Sequence, residues 1–419
     1  MQGNINFDIV TDIAVIGAGP GGCATSLFLS KAGINHTLFD KAIFPRDKVC
    51  GDAISGKAIA VFNQLDPSIL NGIKRDESAF LGSWGVTFFA PNGKPLEVPF
   101  KMNLEEQVDA PGFIAKRIDF DNYLVEQLDH KTADIHLGAF VKNVEHTNNG
   151  IKISFQHEGK EKTCMAQLVI GAEGDRSIVA KKLANHKMEP EYYCAGIRAY
   201  YENVTGIHKN NFIELHFLRD VLPGYFWIFP LPNNMVNIGL GMLASEARKK
   251  NVNIKKVMLN AIKENHTIKD RFKDSILRGQ IKGWGLPLGS IKRKLSGDRF
   301  MLVGDAASLI DPFTGEGIGN AFVTGKIAAE FSQQALEEKN LSASFLAKYD
   351  EEVYNELWSE LKLSHTLQKL VNFPWLFNFL VNKARKNKTI QETITCMFED
   401  LDMRAKLRSP SFYFKLLFN

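Results

Sequence analysis

Asp12-Ile13-Ala14-Val15-Ile16-Gly17-Ala18-Gly19-Pro20-Gly21-Gly22 carries an apolar run straight into a cluster of glycines. Ile13 to Ile16 has the composition of a short strand buried on both faces of a parallel sheet. Gly17 permits a tight turn out of that strand, Gly19 lets the backbone approach a pyrophosphate, and Gly22 lets the next helix close on the sheet. The helix is expected from Pro20 to Ala32, with Gly33 just past its end. Its free N–H groups and the positive end of its dipole would face the phosphates. A second strand, Asn35 to Phe39, ends at Asp40, where an acid would hold a ribose hydroxyl. This order of strand, glycine turn, helix, strand and acid predicts an α/β, Rossmann-like dinucleotide-binding unit.

Two distant segments extend the pattern. Leu168-Val169-Ile170-Gly171-Ala172-Glu173-Gly174-Asp175-Arg176-Ser177 is one, and Phe300-Met301-Leu302-Val303-Gly304-Asp305-Ala306-Ala307 is the other. The latter continues into Asp311-Pro312 and Gly315-Glu316-Gly317-Ile318-Gly319. Asp305 directly follows an apolar strand, so its carboxylate should face the crevice at the carboxyl ends of the sheet, where such folds bind ligands. The other role open to it is a helix N-cap. Gly315 to Gly319 opens a helix with Ala321, Gly325 and Ala328 on one narrow face, suited to close packing. The positive end of that helix would favour an anionic ligand edge by about 0.3–2 kcal/mol; alternatively the glycines only permit packing.

The chain has 419 residues, enough for two or three domains, and a net charge of +4. That charge is small and no Lys/Arg run occurs, which argues against nucleic acid as a partner. The five cysteines, Cys23, Cys50, Cys164, Cys194 and Cys396, are odd in number and contain no CxxC pair. Reduced thiols in a cytoplasmic protein are expected, with no zinc site. No signal peptide and no apolar run of about 18 residues is visible.

The motifs predict a discontinuous cofactor domain, 1–75 plus 111–185 plus 286–340. A helix is expected over Asp119–Leu128, followed by strands Ile135–Leu137, Val141–His146 and Ile151–His157, with Asn148-Asn149-Gly150 as a hairpin turn. Val86–Ala90 and Pro95–Phe100 flank the turn Asn92-Gly93. Phe212–Leu218, Tyr225–Pro230 and Met235–Met242 read as a meander. Together these predict a second domain, 76–110 plus 186–285, built on antiparallel sheet. From Ser342 the pattern turns helical: Phe345, Tyr349, Val353, Leu357 and Leu361 share one face, Pro374 opens a further helix, and 341–419 forms a C-terminal helical region. The tail over 405–419, rich in Phe and Leu with interspersed Lys and Arg, suits either packing on the second domain or peripheral contact with a membrane.

Taken together, the three separated segments resemble the FAD-dependent flavoproteins that include aromatic hydroxylases, flavin halogenases and geranylgeranyl reductases, over roughly residues 8 to 335. Two further motifs narrow the resemblance. Pro45-Arg46-Asp47-Lys48-Val49-Cys50-Gly51-Asp52-Ala53-Ile54-Ser55 is similar to the Pro-Arg-x-Lys-x-Cys-Gly-x-x-x-Ser stretch of the geranylgeranyl reductases, and Tyr225-Phe226-Trp227-Ile228-Phe229-Pro230 to their Tyr-x-Trp-x-Phe-Pro. Halogenases carry Trp-x-Trp-x-Ile-Pro there, so Tyr225 weighs against halogenation. Glu173 departs from the family's Gly-Ala-Asp-Gly.

The resemblance implies FAD, held by Gly17, Gly19, Pro20, Gly22, Asp40, Arg46, Cys50, Gly51, Arg117, Gly174, Asp305, Pro312, Gly315, Gly317 and Ile318. It implies hydride transfer from reduced flavin to carbon–carbon double bonds of an isoprenoid or polyene-type lipid, with Cys50, Tyr225 and Trp227 by the reaction centre. Period two puts Tyr225, Trp227 and Phe229 on one sheet face, as a floor for an apolar substrate or as plain core. Cys50 is either near the flavin or a small buried apolar residue. Lys48 is either a phosphate ligand or a surface charge. Glu214 and His216 are expected on a solvated face. Electrons would come from NAD(P)H or another external electron donor. The alternatives are a flavin monooxygenase or halogenase, and a non-catalytic flavin electron carrier.

Overall fold

In the computed structural model, which describes residues 7–101 and 108–387, the strand Ile9–Ile16 lies inside an eight-stranded sheet. Parallel neighbours flank it: Lys160–Gly171 on one side, in register Ile13 to Leu168, and His36–Asp40 on the other, in register Ile16 to Phe39. Ala133–Leu137 and Phe300–Leu302 extend the parallel set outward. Ile13, Ala14, Val15, Leu168, Val169 and Ile170 have no solvent exposure at all. That is why this run carries no alternation of apolar and polar residues: helices cover both faces. The antiparallel strands Phe140–Thr147 and Gly150–His157 fold back onto the early part of Lys160–Gly171.

Helix Pro20–Lys31 starts and stops close to the expected residues, and Gly33 beyond it has φ +71°. It crosses helix Ile318–Glu337 at nearly bare backbone. A Cβ on Gly325 would lie 2.6 Å from the Gly21 carbonyl, and Ala321 packs against Gly21. The small-residue face of the second helix is therefore a packing seam.

A seven-stranded sheet forms the other layer, in the order Ile276–Pro287, Tyr193–Glu202, Met235–Leu243, Tyr225–Leu231, Ile213–His216, Gly85–Phe89, Pro95–Pro99. The meander and the Asn92-Gly93 hairpin lie within it. One pair departs from the all-antiparallel expectation: Ile213–His216 runs parallel to Gly85–Phe89, because the two belong to separate blocks of sequence with no hairpin between them. Its two longest strands, Tyr193–Glu202 and Ile276–Pro287, were not anticipated. Ile276–Pro287 is largely exposed and opens Ile-Leu-Arg-Gly-Gln, which lacks the period-two alternation of a half-buried strand. A small sheet of Ala53–Ile54, Gly112–Ile114 and Leu81–Ser83 bridges the layers.

Helix Ala343–Leu370 begins where Ser342 accepts a hydrogen bond from the Phe345 N–H, and Phe345, Tyr349, Val353, Leu357 and Leu361 are all buried. Pro374 opens the helix that ends at Lys386. Cys396 and the tail over 405–419 lie outside the described residues. Among the described residues no helix is long and apolar enough to cross a membrane, and Cys23, Cys50, Cys164 and Cys194 are free thiols.

Candidate functional site

The first glycine turn is tight for identifiable reasons. Gly17 has φ +106°, and a Cβ there would meet the Ala172 carbonyl oxygen at 2.4 Å. A Cβ on Gly22 would fall 1.7 Å from the Gly17 carbonyl. Gly19 differs: the nearest atom to its missing Cβ is a guanidinium nitrogen of Arg46 at 3.9 Å. Bare backbone at the N-terminus of helix Pro20–Lys31, open above and faced by a cation, is what a pyrophosphate needs. Asp40 ends the second strand as expected. Its carboxylate accepts from the N–H groups of Ala18 at 2.6 Å and Ala42 at 2.7 Å, which ties the acid to the turn.

Arg46 is fixed from behind. It pairs with Asp121, which is fully buried and also takes two hydrogen bonds from Arg117 at 2.6 and 2.7 Å. Burial alone would raise the Asp121 carboxyl, but Arg117, followed by Arg46, outweighs it and holds it below the usual range. Arg117 also faces the Cys50 thiol. The chain Arg46–Asp121–Arg117 thus links the glycine turn to the Cys50-Gly51 loop.

The other two segments converge on the same crevice. The turns Gly174–Arg176 and Gly304–Ala307 pack together, and Gly174 has φ +77° with open space beside it. Glu173 faces away from the crevice. It accepts from the N–H groups of Ile178 and Val179 and from the Ser177 hydroxyl, so its longer side chain serves the following helix. Asp305 lies 3.4 Å from Lys48 Nζ and borders Gly317. It caps neither adjacent helix, since Val303 and Gly317 occupy those positions.

Beyond Asp305 a cavity of about 690 Å³ opens between the two large sheets. Cys50, Gly51, Asp52, Tyr225, Trp227 and Phe229 line it, together with Pro312, Gly315, Gly317 and Ile318. Tyr225, Trp227 and Phe229 therefore do share one face, while Phe226 and Ile228 are buried in the core behind the sheet. The Tyr225 hydroxyl donates to the Thr314 carbonyl. The Trp227 indole lies over Gly239, where a Cβ would sit 2.1 Å from ring carbon Cζ2. Gly51 is pressed against the Phe229 ring, where a Cβ would sit 2.9 Å from Cε2. Gly17, Gly19, Pro20, Gly22, Asp40, Arg46, Arg117 and Gly174 do not line the cavity; they cluster at the turn end of the crevice, with Asp305 between.

One residue of the site was missed from the sequence. Asn237, fully buried, donates through Nδ2 to the Cys50 carbonyl and to Asp52, both at 2.7 Å, and its Oδ1 accepts from the Trp227 indole at 2.9 Å. The available signal was an amide amid the apolar strand residues Val236 and Ile238, since a buried amide must find partners.

Glu214 and His216 correct an expectation. They do not lie on a solvated face: both are buried. Glu214 receives two hydrogen bonds from Arg271, at 2.6 and 2.9 Å, and one from His216 at 2.9 Å. The segment over 254–272 covers this side of the sheet and brings the arginine that permits a buried carboxylate. They do not line the cavity: Ile213 and Leu215, on either side of Glu214 in the strand, do.

The cradle, the cation above it and the crevice acids fit a flavin dinucleotide, and the comparisons agree. The family model described as FAD binding domain matches residues 10–325. The protein is an FAD-dependent oxidoreductase of the α/β class with a second, mainly antiparallel sheet. It is 30% identical over 344 residues to a menaquinone reductase of Mycobacterium tuberculosis, covering 78% of this chain and 77% of that one. A digeranylgeranylglycerophospholipid reductase of Methanococcus vannielii is 30% identical over 366 residues, 86% of this chain and 87% of the relative. A geranylgeranyl bacteriochlorophyll reductase-like protein of Thermoplasma acidophilum shares the fold, with TM-score 0.79, 22% identity and 95% of each chain covered. The chain belongs to the FAD-dependent geranylgeranyl reductase family.

Proposed function

We propose that this enzyme reduces carbon–carbon double bonds in the polyprenyl chain of a lipid. The observation that carries the reading is the cavity. It is apolar and aromatic, and its walls include both the Cys50-Gly51 loop and the Gly315–Ile318 loop, so a long alkene would lie against the flavin end of the crevice. The two relatives named above are reductases of lipids that carry isoprenoid chains, which supports the same substrate class. Reduced FAD, when bound, supplies hydride.

The residues take their roles from where they stand. Gly17, Gly19, Pro20 and Gly22 with Arg46 bind the pyrophosphate, Asp40 the adenosine ribose, and Asp305 the ribityl chain. Gly174 leaves room beside them. Cys50, Gly51, Pro312, Gly315, Gly317 and Ile318 frame the isoalloxazine, with Arg117 behind Cys50. Tyr225 and Trp227 orient the alkene and exclude water. The blocks 1–75, 111–185 and 286–340 serve as the FAD-binding domain, 76–110 with 186–285 as the substrate domain and 341–419 as a C-terminal helical region; the strands of the two large sheets fall in the first two of these, except that Ile276–Pro287 runs past residue 285. Electrons reach the flavin from NAD(P)H or a separate donor. For the tail over 405–419 two roles stay open, packing on the second domain and contact with a membrane surface; flotation of the full chain and of a chain lacking 405–419 with liposomes decides between them, and equal binding discards the membrane role.

The test of the activity is reduction of the holoenzyme under nitrogen, incubation with a lipid extract and mass spectrometry. A gain of two hydrogens per double bond is expected without oxygen. Turnover only in air would select the monooxygenase or halogenase reading, and no turnover on any alkene lipid would select the electron carrier.

A further inference from the structure

Helix Pro374–Lys386 has two unlike faces. Phe377, Val381 and Ala384 recur at helical spacing and are buried in the core of the seven-stranded sheet layer. Phe377 packs edge-on against Phe217, with ring centres 4.8 Å apart. Phe217 in turn stacks on Phe88 and Phe313, both of which line the cavity. One aromatic ring therefore separates the helix from the cavity wall. The opposite face is apolar as well. Trp375 is 70% exposed, Phe379 42%, and Phe373, just before the helix, 56%. Trp375, Phe379, Asn382 and Lys386 follow one another at steps of four, three and four residues, so they form a single outward stripe.

The charge on this helix has one sign. It contains Lys383, Arg385 and Lys386 and no acid. At that end a cleft of about 540 Å³ lies against strand Pro95–Pro99. His208, Lys209 and Arg385 line it, and Glu97, 3.9 Å from His208, is the one acid among its lining residues. Cations late in a helix also complement its dipole. The dipole accounts neither for the outward Trp and Phe nor for the cleft. Aromatic rings beside lysine and arginine on one outward surface are the composition of a helix that lies in the headgroup layer of a bilayer.

We propose that helix Pro374–Lys386 docks the enzyme on an anionic bilayer. Phe373, Trp375 and Phe379 enter the headgroup layer, and Lys383, Arg385 and Lys386 lie at the level of the lipid phosphates. The purpose of the contact rests on the lipid-substrate reading above: it seats the enzyme where a polyprenyl lipid resides, with the cavity wall one ring behind the helix. Each cation near such a surface adds about fivefold to binding, and the rings add the apolar share. A second copy of this chain laid helix against helix would bury the same rings. It would bring no acid to the three cations, since the helix has none; lipid phosphates supply that charge.

The test compares full-length holoenzymes: wild type, the double variant Trp375→Ser with Phe379→Ser, and Trp375→Phe. Each is floated with vesicles of phosphatidylcholine alone and of phosphatidylcholine with phosphatidylglycerol, and tryptophan emission is read with brominated lipids as quenchers. Wild type should bind the anionic vesicles at least about tenfold more tightly than the neutral ones, and lose that margin at about 1 M salt, where screening cuts the reach of charge to about 3 Å. The double variant should bind at least about tenfold more weakly than wild type, with unchanged FAD content and thermal unfolding. Trp375→Phe should bind nearly as wild type yet lose most of the quenching. Turnover of a digeranylgeranyl glycerophospholipid should be equal for wild type and the double variant in detergent micelles, and lower for the double variant when that lipid sits in the anionic vesicles. A double variant that floats like wild type, quenching that persists in Trp375→Phe, or a wild type that binds neither vesicle overturns the proposal. So does a wild-type dimer that the double variant dissolves, seen by sedimentation, with no vesicle binding by either. If wild type turns over this lipid in neither form, the substrate reading fails instead, and flotation and quenching still decide on the helix.

Discussion

The Tyr225 hydroxyl donates a hydrogen bond to the Thr314 carbonyl, joining the aromatic strand of one sheet to the loop that leads into helix Ile318–Glu337. Gly315, next in that loop, has φ +73°, and a Cβ there would sit 2.9 Å from the same hydroxyl. Tyr225→Phe keeps the ring and removes the tie. We expect a loss of about 1 kcal/mol in urea unfolding of the holoenzyme and faster release of FAD.

At the other end of the crevice, Gly17→Val forces a side chain into the Ala172 backbone from a left-handed φ. Asp305→Ala deletes the acid between Lys48 and Gly317. Each variant should purify largely colourless, measured as the visible-to-ultraviolet absorbance ratio. A fully yellow protein from either would count against the proposed cofactor contacts.

Glu214 and Arg271 should behave as a coupled pair behind the substrate sheet. Truncating either to alanine leaves a buried charge uncompensated and should cost about 3–5 kcal/mol, with the double variant costing less than the sum. Burial raises the Glu214 carboxyl, but the bonds from His216 and Arg271 outweigh it and set it below 4.5. A lowered folded value means stability that is present above the unfolded value and lost as pH falls through the folded one. Acid unfolding of wild type should therefore show a component below about pH 4.5 that Glu214→Ala lacks.

Asp52 has the opposite sign. Its folded value, about 6, exceeds the ordinary 3.8, so it disfavours folding increasingly as pH rises through that window. Asp52→Asn removes this penalty. The stability of wild type relative to Asp52→Asn should improve by about 1 kcal/mol between pH 7 and pH 5, measured by chemical denaturation at both values. No change between them would mean that Asp52 does not titrate in this range.

The glycine turn, the strand before it and Asp40 were legible because steric limits at Gly17 and Gly22 act within a few residues. The same holds for the helix start at Ser342 and the hairpin at Asn92-Gly93. Period two was enough to put Tyr225, Trp227 and Phe229 on one face. It could not reveal which side of the sheet was covered, and so Glu214 and His216 were misplaced: their partner Arg271 lies 57 residues from Glu214. Asn237 escaped notice for the same reason. Its three partners come from two other segments, and only the fold brings them within reach of one amide.

The Trp227 ring rests on Gly239 with no room for a methyl group between them. The same methyl group would lie 2.2 Å from the Ile197 carbonyl oxygen, so the ring can sit this deep only over a glycine. An alanine at 239 would push the Trp227 ring toward the cavity it lines and narrow it, leaving the flavin loops untouched.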